Sequence, residues 1–245
     1  MDFVEQNYWD NSYSKIEIES FLEKDSIIRF IHDNLPDTNE YKSMCEIGCF
    51  PGRYMSIFGE KGYNINGIDI TPRTKELEEI LKSKGYSVGN IEHADFFINR
   101  IEKFDVVCSF GFVEHFKDFS NVIERHLELV NDGGYVLIAA PNFRGLFQYL
   151  YHKIFDNLNI KRHNIKSMRP TLWAKLIQRR GFEIISHGYI GNEVWRDSST
   201  RFNIFLRVTE KFLIALLKIT SELKPNNSLS SGYCIVLAKK KINHN

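Results

Sequence analysis

At 245 residues, 43% of them hydrophobic and 26% charged, the chain has the size and composition of one α/β domain with a full buried core. A formal net charge of +1 argues against a protein that grips nucleic acid along its backbone, which normally carries a strong basic excess. No apolar run approaches the roughly 18 residues that a bilayer span requires.

The opening residues show neither a basic nor an apolar signal region, and four cysteines (Cys45, Cys49, Cys108, Cys234) are scattered without a second metal-binding pair. Reduced, mostly buried thiols, no metal and a cytoplasmic location are therefore expected. Aromatic residues Tyr8, Trp9 and Tyr13 precede a helical stretch over 15–35, which Pro36 stops. Residues 1–40 are expected to pack on the sheet edge or to form a helical lid.

A first strand over 42–47 runs into Glu46-Ile47-Gly48-Cys49-Phe50-Pro51-Gly52, a strand, a glycine turn and the start of a helix. Pro51 suits the first helical position, and that helix is expected to reach residue 61. A second strand over 63–70 ends in Gly67-Ile68-Asp69-Ile70. Thr71-Pro72 then reads as a cap and first turn for a helix to residue 84. A weaker third strand spans 86–94, interrupted by Gly89.

Residues 104–110 read as a buried fourth strand, and 118–130 as an amphipathic helix that Asp132-Gly133-Gly134 terminates. A fifth strand over 135–140 is closed by Pro141. Strands alternating with helices call for a doubly wound parallel sheet with right-handed crossovers. Residues 142–170 read as an aromatic, basic insertion with short helices, and 171–180 as a helix. Strands over 182–189 and 232–239 are expected to pair antiparallel at one edge.

A second insertion over 191–231 holds an apolar helix at 203–222. Arg207, Lys211, Lys218 and Glu222, at spacings of 4, 7 and 4, lie on one narrow stripe of it. The remaining apolar arc suits packing on the domain, a homodimer contact or a membrane surface.

Four positions fall at the ends of consecutive strands: Glu46 with Gly48 and Gly52, then Asp69, then Asp95, then Ser109 to His115. Together they describe one elongated ligand across the strand tips. Asp69 lies about 20 residues past the glycine turn, the separation of an acid that accepts from ribose hydroxyls. A carboxylate at Glu46 would repel a pyrophosphate and favour a cation. Gly-x-x-x-Gly is also not the dinucleotide cradle Gly-x-Gly-x-x-Gly.

The ordered set, with Gly67-Ile68-Asp69, Ala94-Asp95-Phe96, Ser109-Phe110-Gly111-Phe112-Val113-Glu114-His115-Phe116 and Asp132-Gly133-Gly134, resembles the class I S-adenosylmethionine-dependent methyltransferases over about residues 42–141. The resemblance implies a Rossmann-like, mostly parallel seven-stranded sheet with the last strand antiparallel. It implies S-adenosylmethionine as cofactor and S-adenosylhomocysteine as product. Glu46 and Gly48 would then meet the methionine part, Asp69 the ribose, and Asp95 with Phe96 the adenine. Cys49, Gly52, Ile70, Phe110 and Tyr13 complete the expected cofactor site. Phe50-Pro51 departs from the family, which usually has a glycine and a small residue there.

His115 is the expected base for an acceptor hydroxyl, with Glu114 orienting it. The basic insertion suggests a small anionic, nucleotide- or sugar-linked acceptor, met by Tyr8, Asn142, Arg144, His163 and Arg169. Oxygen is slightly preferred to nitrogen as acceptor atom. A cofactor-binding subunit without chemistry, a partner-dependent subunit and a nucleic-acid methyltransferase are the alternatives. The nucleic-acid reading lacks the Asn/Asp-Pro-Pro-aromatic pattern after the fourth strand.

Overall fold

Seven strands make one sheet: β1 (Ser43–Ile47), β2 (Asn64–Asp69), β3 (Val88–His93), β4 (Phe104–Phe110), β5 (Val130–Pro141), β6 (Phe182–Ile190) and β7 (Tyr233–Lys240). The computed structural model describes residues 25–40, 42–98, 102–194, 204–223 and 225–242. Tyr8 and Tyr13, with most of the expected lid, lie outside them. The spatial order is β3-β2-β1-β4-β5-β7-β6, with β7 antiparallel to both its neighbours and the other pairings parallel. The expected doubly wound sheet is thus present, and the two late strands do pair antiparallel at one edge. The strand order reverses between β1 and β4, which opens a crevice at their C-terminal ends.

Alternation along the buried strands sends side chains into two layers. Met44, Val106 and Leu137 pack under α1 (Ser26–Asn34), α2 (Met55–Glu60) and α3 (Thr74–Ser83), with Ile31, Phe58 and Leu81 from those helices. Cys45, Val107 and Ile138 pack on the opposite face with Ile123 of α4 (Phe119–Glu128) and Trp173 of α7 (Pro170–Arg179). All four cysteines are free and buried. Asp25 caps α1 by accepting from the Ile27 N–H at 2.8 Å.

Three local expectations are corrected. Pro51 does not open α2, because Gly52 adopts φ +82°, which no right-handed helix contains, so helical geometry begins only at Met55. Thr71 does not cap α3 directly. It receives the Arg73 N–H in a turn, and the helix starts at Thr74. Asp132-Gly133-Gly134 does not end a helix, since α4 already stops at Glu128 and these residues belong to β5, which pairs with β4 from Val130 across an irregular register. The irregularity lets Gly133 take φ +76° within the strand.

The insertion after β5 holds α5 (Leu146–Phe155) and α6 (Asn157–Lys161), followed by a 3₁₀ turn at Ile165–Ser167. The long helix α8 (Ile204–Leu223) packs Leu217 on Tyr151 and Phe155 of α5 and leaves Phe205 and Phe212 on the opposite side 74% and 66% exposed. Its charged stripe faces solvent. Among the described residues no helix is long and apolar enough to cross a membrane.

Candidate active site

The glycine turn begins at Gly48, which takes φ +69° and donates its N–H to the Ile68 carbonyl at 2.8 Å. A Cβ there would stand 2.6 Å from the Phe112 ring, so that ring covers the turn. Gly52 is equally tight, with space for no side chain against Leu77. Cys49 is buried against Gly67, where its sulfur would lie 2.7 Å from an added Cβ.

Two acids stand at this turn. Glu46 is buried, and among the described residues its Oε2 has no hydrogen-bond partner. Burial first, and then the neighbouring Asp69 carboxylate, push its pKa well above the usual range. Asp69 is also buried, and burial raises its pKa too. Its Oδ2 accepts the Phe50 N–H and its Oδ1 the Thr71 N–H, both at 3.0 Å. Those donors oppose the effect of burial, and the carboxylate locks the Phe50-Pro51 segment to the tip of β2.

Farther along the strand tips, Asp95 is exposed and accepts the Phe97 N–H at 2.8 Å. Phe96 is buried edge-on to Phe112 at 5.6 Å and to His126 at 5.0 Å. Ile70 is half-buried beside Asp69.

Beyond β4 the character changes. Gly111 takes φ +77° and turns the chain into a single 3₁₀ turn, Val113–His115. This turn carries Glu114 and His115 into a cleft of about 240 Å³ that Tyr54, Phe110, Phe143 and His163 also line. Both Glu114 carboxylate oxygens are buried with no hydrogen-bond partner among the described residues, and burial pushes the group up to about 8. His115 donates from Nδ1 to the Arg162 carbonyl at 3.2 Å, and His163 from Nδ1 to the Asn159 carbonyl at 2.6 Å. Burial holds His115 down at about 3 and His163 at about 4, so both rings are neutral at pH 7.

The two rings pack with centroids 4.5 Å apart and planes tilted by 48°. The Asn164 N–H donates to the Glu114 carbonyl at 2.6 Å, and its side-chain amide donates to the Phe116 carbonyl at 3.0 Å. These bonds clamp the 3₁₀ turn to the insertion.

Of the residues singled out in the sequence, Phe110, Glu114, His115 and His163 meet in this cleft. Glu46, Gly48, Cys49, Gly52, Asp69 and Ile70 gather at the neighbouring tips of β1 and β2. Asn142 is a correction. It is wholly buried and spends its amide on the Ser228 and Ser231 carbonyls and the Gly145 N–H, so it builds the insertion and cannot reach an acceptor. Arg144 and Arg169 are exposed, outside the lining of the cleft.

Sequence reasoning missed Arg53, Tyr54, Tyr233 and Phe143 as lining residues, and Phe112 as the cover on Gly48. Phe112 carried a signal, since it sits inside the motif after β4. The Tyr54 and Tyr233 hydroxyls meet only because α2 and β7 fold together.

Residues 19–187 match a family model described as a methyltransferase domain. The chain belongs to that family. Solved structures with the same fold include an S-adenosylmethionine-dependent methyltransferase from Archaeoglobus fulgidus (18% identity, 87% of this chain and 93% of that one, TM-score 0.56). A methyltransferase from Bacillus halodurans aligns over 88% of this chain and 99% of its own (14% identity, TM-score 0.58). Magnesium protoporphyrin IX methyltransferase from Synechocystis, solved with S-adenosylhomocysteine, aligns over 88% and 80% (17% identity, TM-score 0.54). At these identities the likeness carries the fold alone. No curated protein matches the chain by sequence.

The chain is therefore an S-adenosylmethionine-dependent methyltransferase of the class I fold. The strand tips of this methyltransferase fit such a cofactor. Among the described residues Glu46 Oε2 has no hydrogen-bond partner, which leaves it the chemistry to accept from an ammonium group, and Gly48 puts no side chain on the turn.

Proposed function

We propose that this methyltransferase acts on a small polar acceptor, anionic or linked to a nucleotide or sugar, and methylates oxygen in preference to nitrogen. Bound S-adenosylmethionine supplies an electrophilic methyl group on sulfur. Glu46 would hold the methionine ammonium beside Gly48, Cys49 and Gly52. Asp69 would accept from the ribose hydroxyls with the lone pairs its two backbone bonds leave over. Ile70, Asp95 and Phe96 would border the adenine.

The observation that carries the acceptor reading is the convergence of Glu114, His115 and His163 on one cleft beside Tyr54 and Phe110. Aligning the acceptor lone pair with the methyl carbon is the main demand on the protein, and rigid aromatic walls meet it. Neutral imidazoles offer acceptors for a hydroxyl proton, which favours an oxygen nucleophile. Arg53 lines the cleft while bonded to Asp25 at 3.0 Å, so one fixed guanidinium faces the acceptor space. Burial raises the pKa of Tyr189 and Cys234, Glu114 adds to the rise at Cys234, and the Arg144 charge opposes it at both, which sets Arg144 near the same end of β7. These cations support an anionic acceptor.

Incubation of the enzyme with methyl-labelled cofactor and a small-metabolite extract tests the proposal. Label should move into a fraction retained on an anion exchanger, with S-adenosylhomocysteine released in equal amount. Label confined to neutral or cationic products would overturn the acceptor class. Cofactor binding with no label transferred from any extract would favour the non-catalytic alternative.

A further inference from the structure

We infer that Glu114, His115 and His163 form a binding site for one divalent first-row transition-metal ion at the acceptor end of the cleft. One ligand atom from each residue lies within 4.8 Å of those of the other two. Two imidazole nitrogens and one carboxylate oxygen are a donor set for zinc, iron(II), manganese(II) or cobalt(II), whereas magnesium and calcium prefer oxygen alone. Such ions hold their ligands at about 2.0–2.2 Å, so neighbouring ligand atoms stand roughly 3–3.5 Å apart. The ligand atoms therefore need to close by at most about 1–2 Å on binding.

Three independent features point to a cation. Glu114 is 0% exposed, and neither of its oxygens has a partner among the described residues, although it faces the cleft. A buried carboxylate left so is costly, and such groups in native structures call for an ion, a water or a proton. The two histidines each turn Nδ1 to a backbone carbonyl, Arg162 for His115 and Asn159 for His163. In the neutral His163 ring this makes Nε2 the nitrogen with the lone pair. The His115 ring also bonds the Gly111 backbone, in a contact that the ion would replace. A carbonyl behind the ring is the usual outer support of a ligating histidine. The ligands also come from two segments already clamped together through Asn164, so little order is lost on binding.

Three protein ligands leave at least one coordination position, and it opens toward the cleft. The role of the ion rests on the acceptor reading above, although the site does not. An acceptor oxygen in that position is made more acidic. With the ion bound, the imidazole lone pairs are occupied, so the acceptor's proton passes to solvent instead of to His115 or His163. The acceptor's electron pair forms the new bond to the methyl carbon, and the carbon–sulfur bond breaks with its pair kept on sulfur as a neutral thioether.

Cobalt(II) titrated into chelator-treated full-length protein tests the inference without any turnover. One equivalent should give visible ligand-field bands, which one equivalent of zinc(II) removes. Glu114→Gln and His163→Asn should each weaken cobalt binding by at least about tenfold. Zinc(II)-loaded wild-type protein, examined by X-ray absorption, should show two imidazoles and only nitrogen and oxygen neighbours, which keeps the inference testable if a variant does not fold. No bands in the wild type, unchanged bands in folded variants, or a sulfur neighbour would each overturn it. Binding of S-adenosylhomocysteine is measured on the same samples. Its loss would sink the methyltransferase reading, whereas its retention without cobalt binding would sink the metal site alone.

Discussion

At the tips of β1 and β2 Asp69 is answered by the chain's own backbone, while past β4 Glu114 is buried with nothing among the described residues to answer it. Asp69 accepts two main-chain N–H groups at 3.0 Å and holds a turn in place. Both Glu114 oxygens lack partners among the described residues, and the neighbouring histidines turn a nitrogen to the backbone at 3.2 and 2.6 Å. The first arrangement stabilises the fold whether or not a ligand is present. The second leaves a desolvation cost that only a ligand, an ion or a proton offsets. The contrast separates the end proposed for the cofactor, where Asp69 is built into the scaffold, from the end proposed for the acceptor, where Glu114 is left for something else.

The strongest way to break this contrast is Asp69→Ala. It strands two buried donors, each costing about 1–3 kcal/mol, so unfolding in urea should show a loss of about 2–6 kcal/mol. Calorimetry should show S-adenosylhomocysteine binding abolished in the same variant. Unchanged stability would mean that the turn does not depend on this carboxylate.

His126 gives the next largest effect, on the cofactor side. It is fully buried against Phe96, and burial lowers its pKa from 6.5 to about 4. Between those values the unfolded chain binds a proton that the folded chain refuses. Stability therefore falls as the pH drops from about 6.5 to 4, by about 3 kcal/mol in total. His115 and His163 act in the same sense. In His126→Leu the acid slope should shrink by this share without vanishing. An equal slope in chevron or urea data across that range would refute the assignment.

What could be seen from the sequence follows the range of the forces involved. The parallel strands were legible because buried strands are apolar runs bounded by glycine, proline and acids, which are local signals. Glu46 and Asp69 were legible because both end such strands. The start of α2 was not, because proline at a first helical position is a statistical preference, while the left-handed φ of Gly52 depends on packing against Leu77. Asn142 carried a polar side chain in a basic segment, yet its partners lie 86 and 89 residues away in sequence. The meeting of His163 with Glu114 and His115 was equally hidden, since it depends on how the insertion folds back over the turn after β4.

Phe112 sharpens the contrast from the middle of the crevice. Its ring covers Gly48 and packs on Phe116 at 4.9 Å, in the path that a nucleoside across the turn would take. Aromatic pairs are worth about 0.5–1.5 kcal/mol beyond their burial. Phe112→Ala removes the cost of turning the ring aside, so S-adenosylhomocysteine should bind a few-fold to about tenfold more tightly. Weaker binding would instead make the ring a stacking wall for adenine.

The smallest effect is expected at the boundary between the two ends. The Tyr54 hydroxyl donates to Asp25 Oδ2 at 3.2 Å, the same oxygen that Arg53 reaches at 3.0 Å, while Asp25 Oδ1 keeps the cap of α1. Burial holds this phenol protonated at any working pH. Tyr54→Phe therefore removes one donor from an acid that retains two others. The cost should be about 1 kcal/mol or less in urea unfolding, with cofactor affinity unchanged within about threefold. Tyr54 also hydrogen-bonds Tyr233 across the floor of the cleft, so the variant frees one polar group on the acceptor side. A loss well above 2 kcal/mol would show that Asp25, Tyr54 and Tyr233 act as one cooperative network. The acceptor end would then be tied to α1 as firmly as the cofactor end is tied to its turn, and the contrast between them would fail.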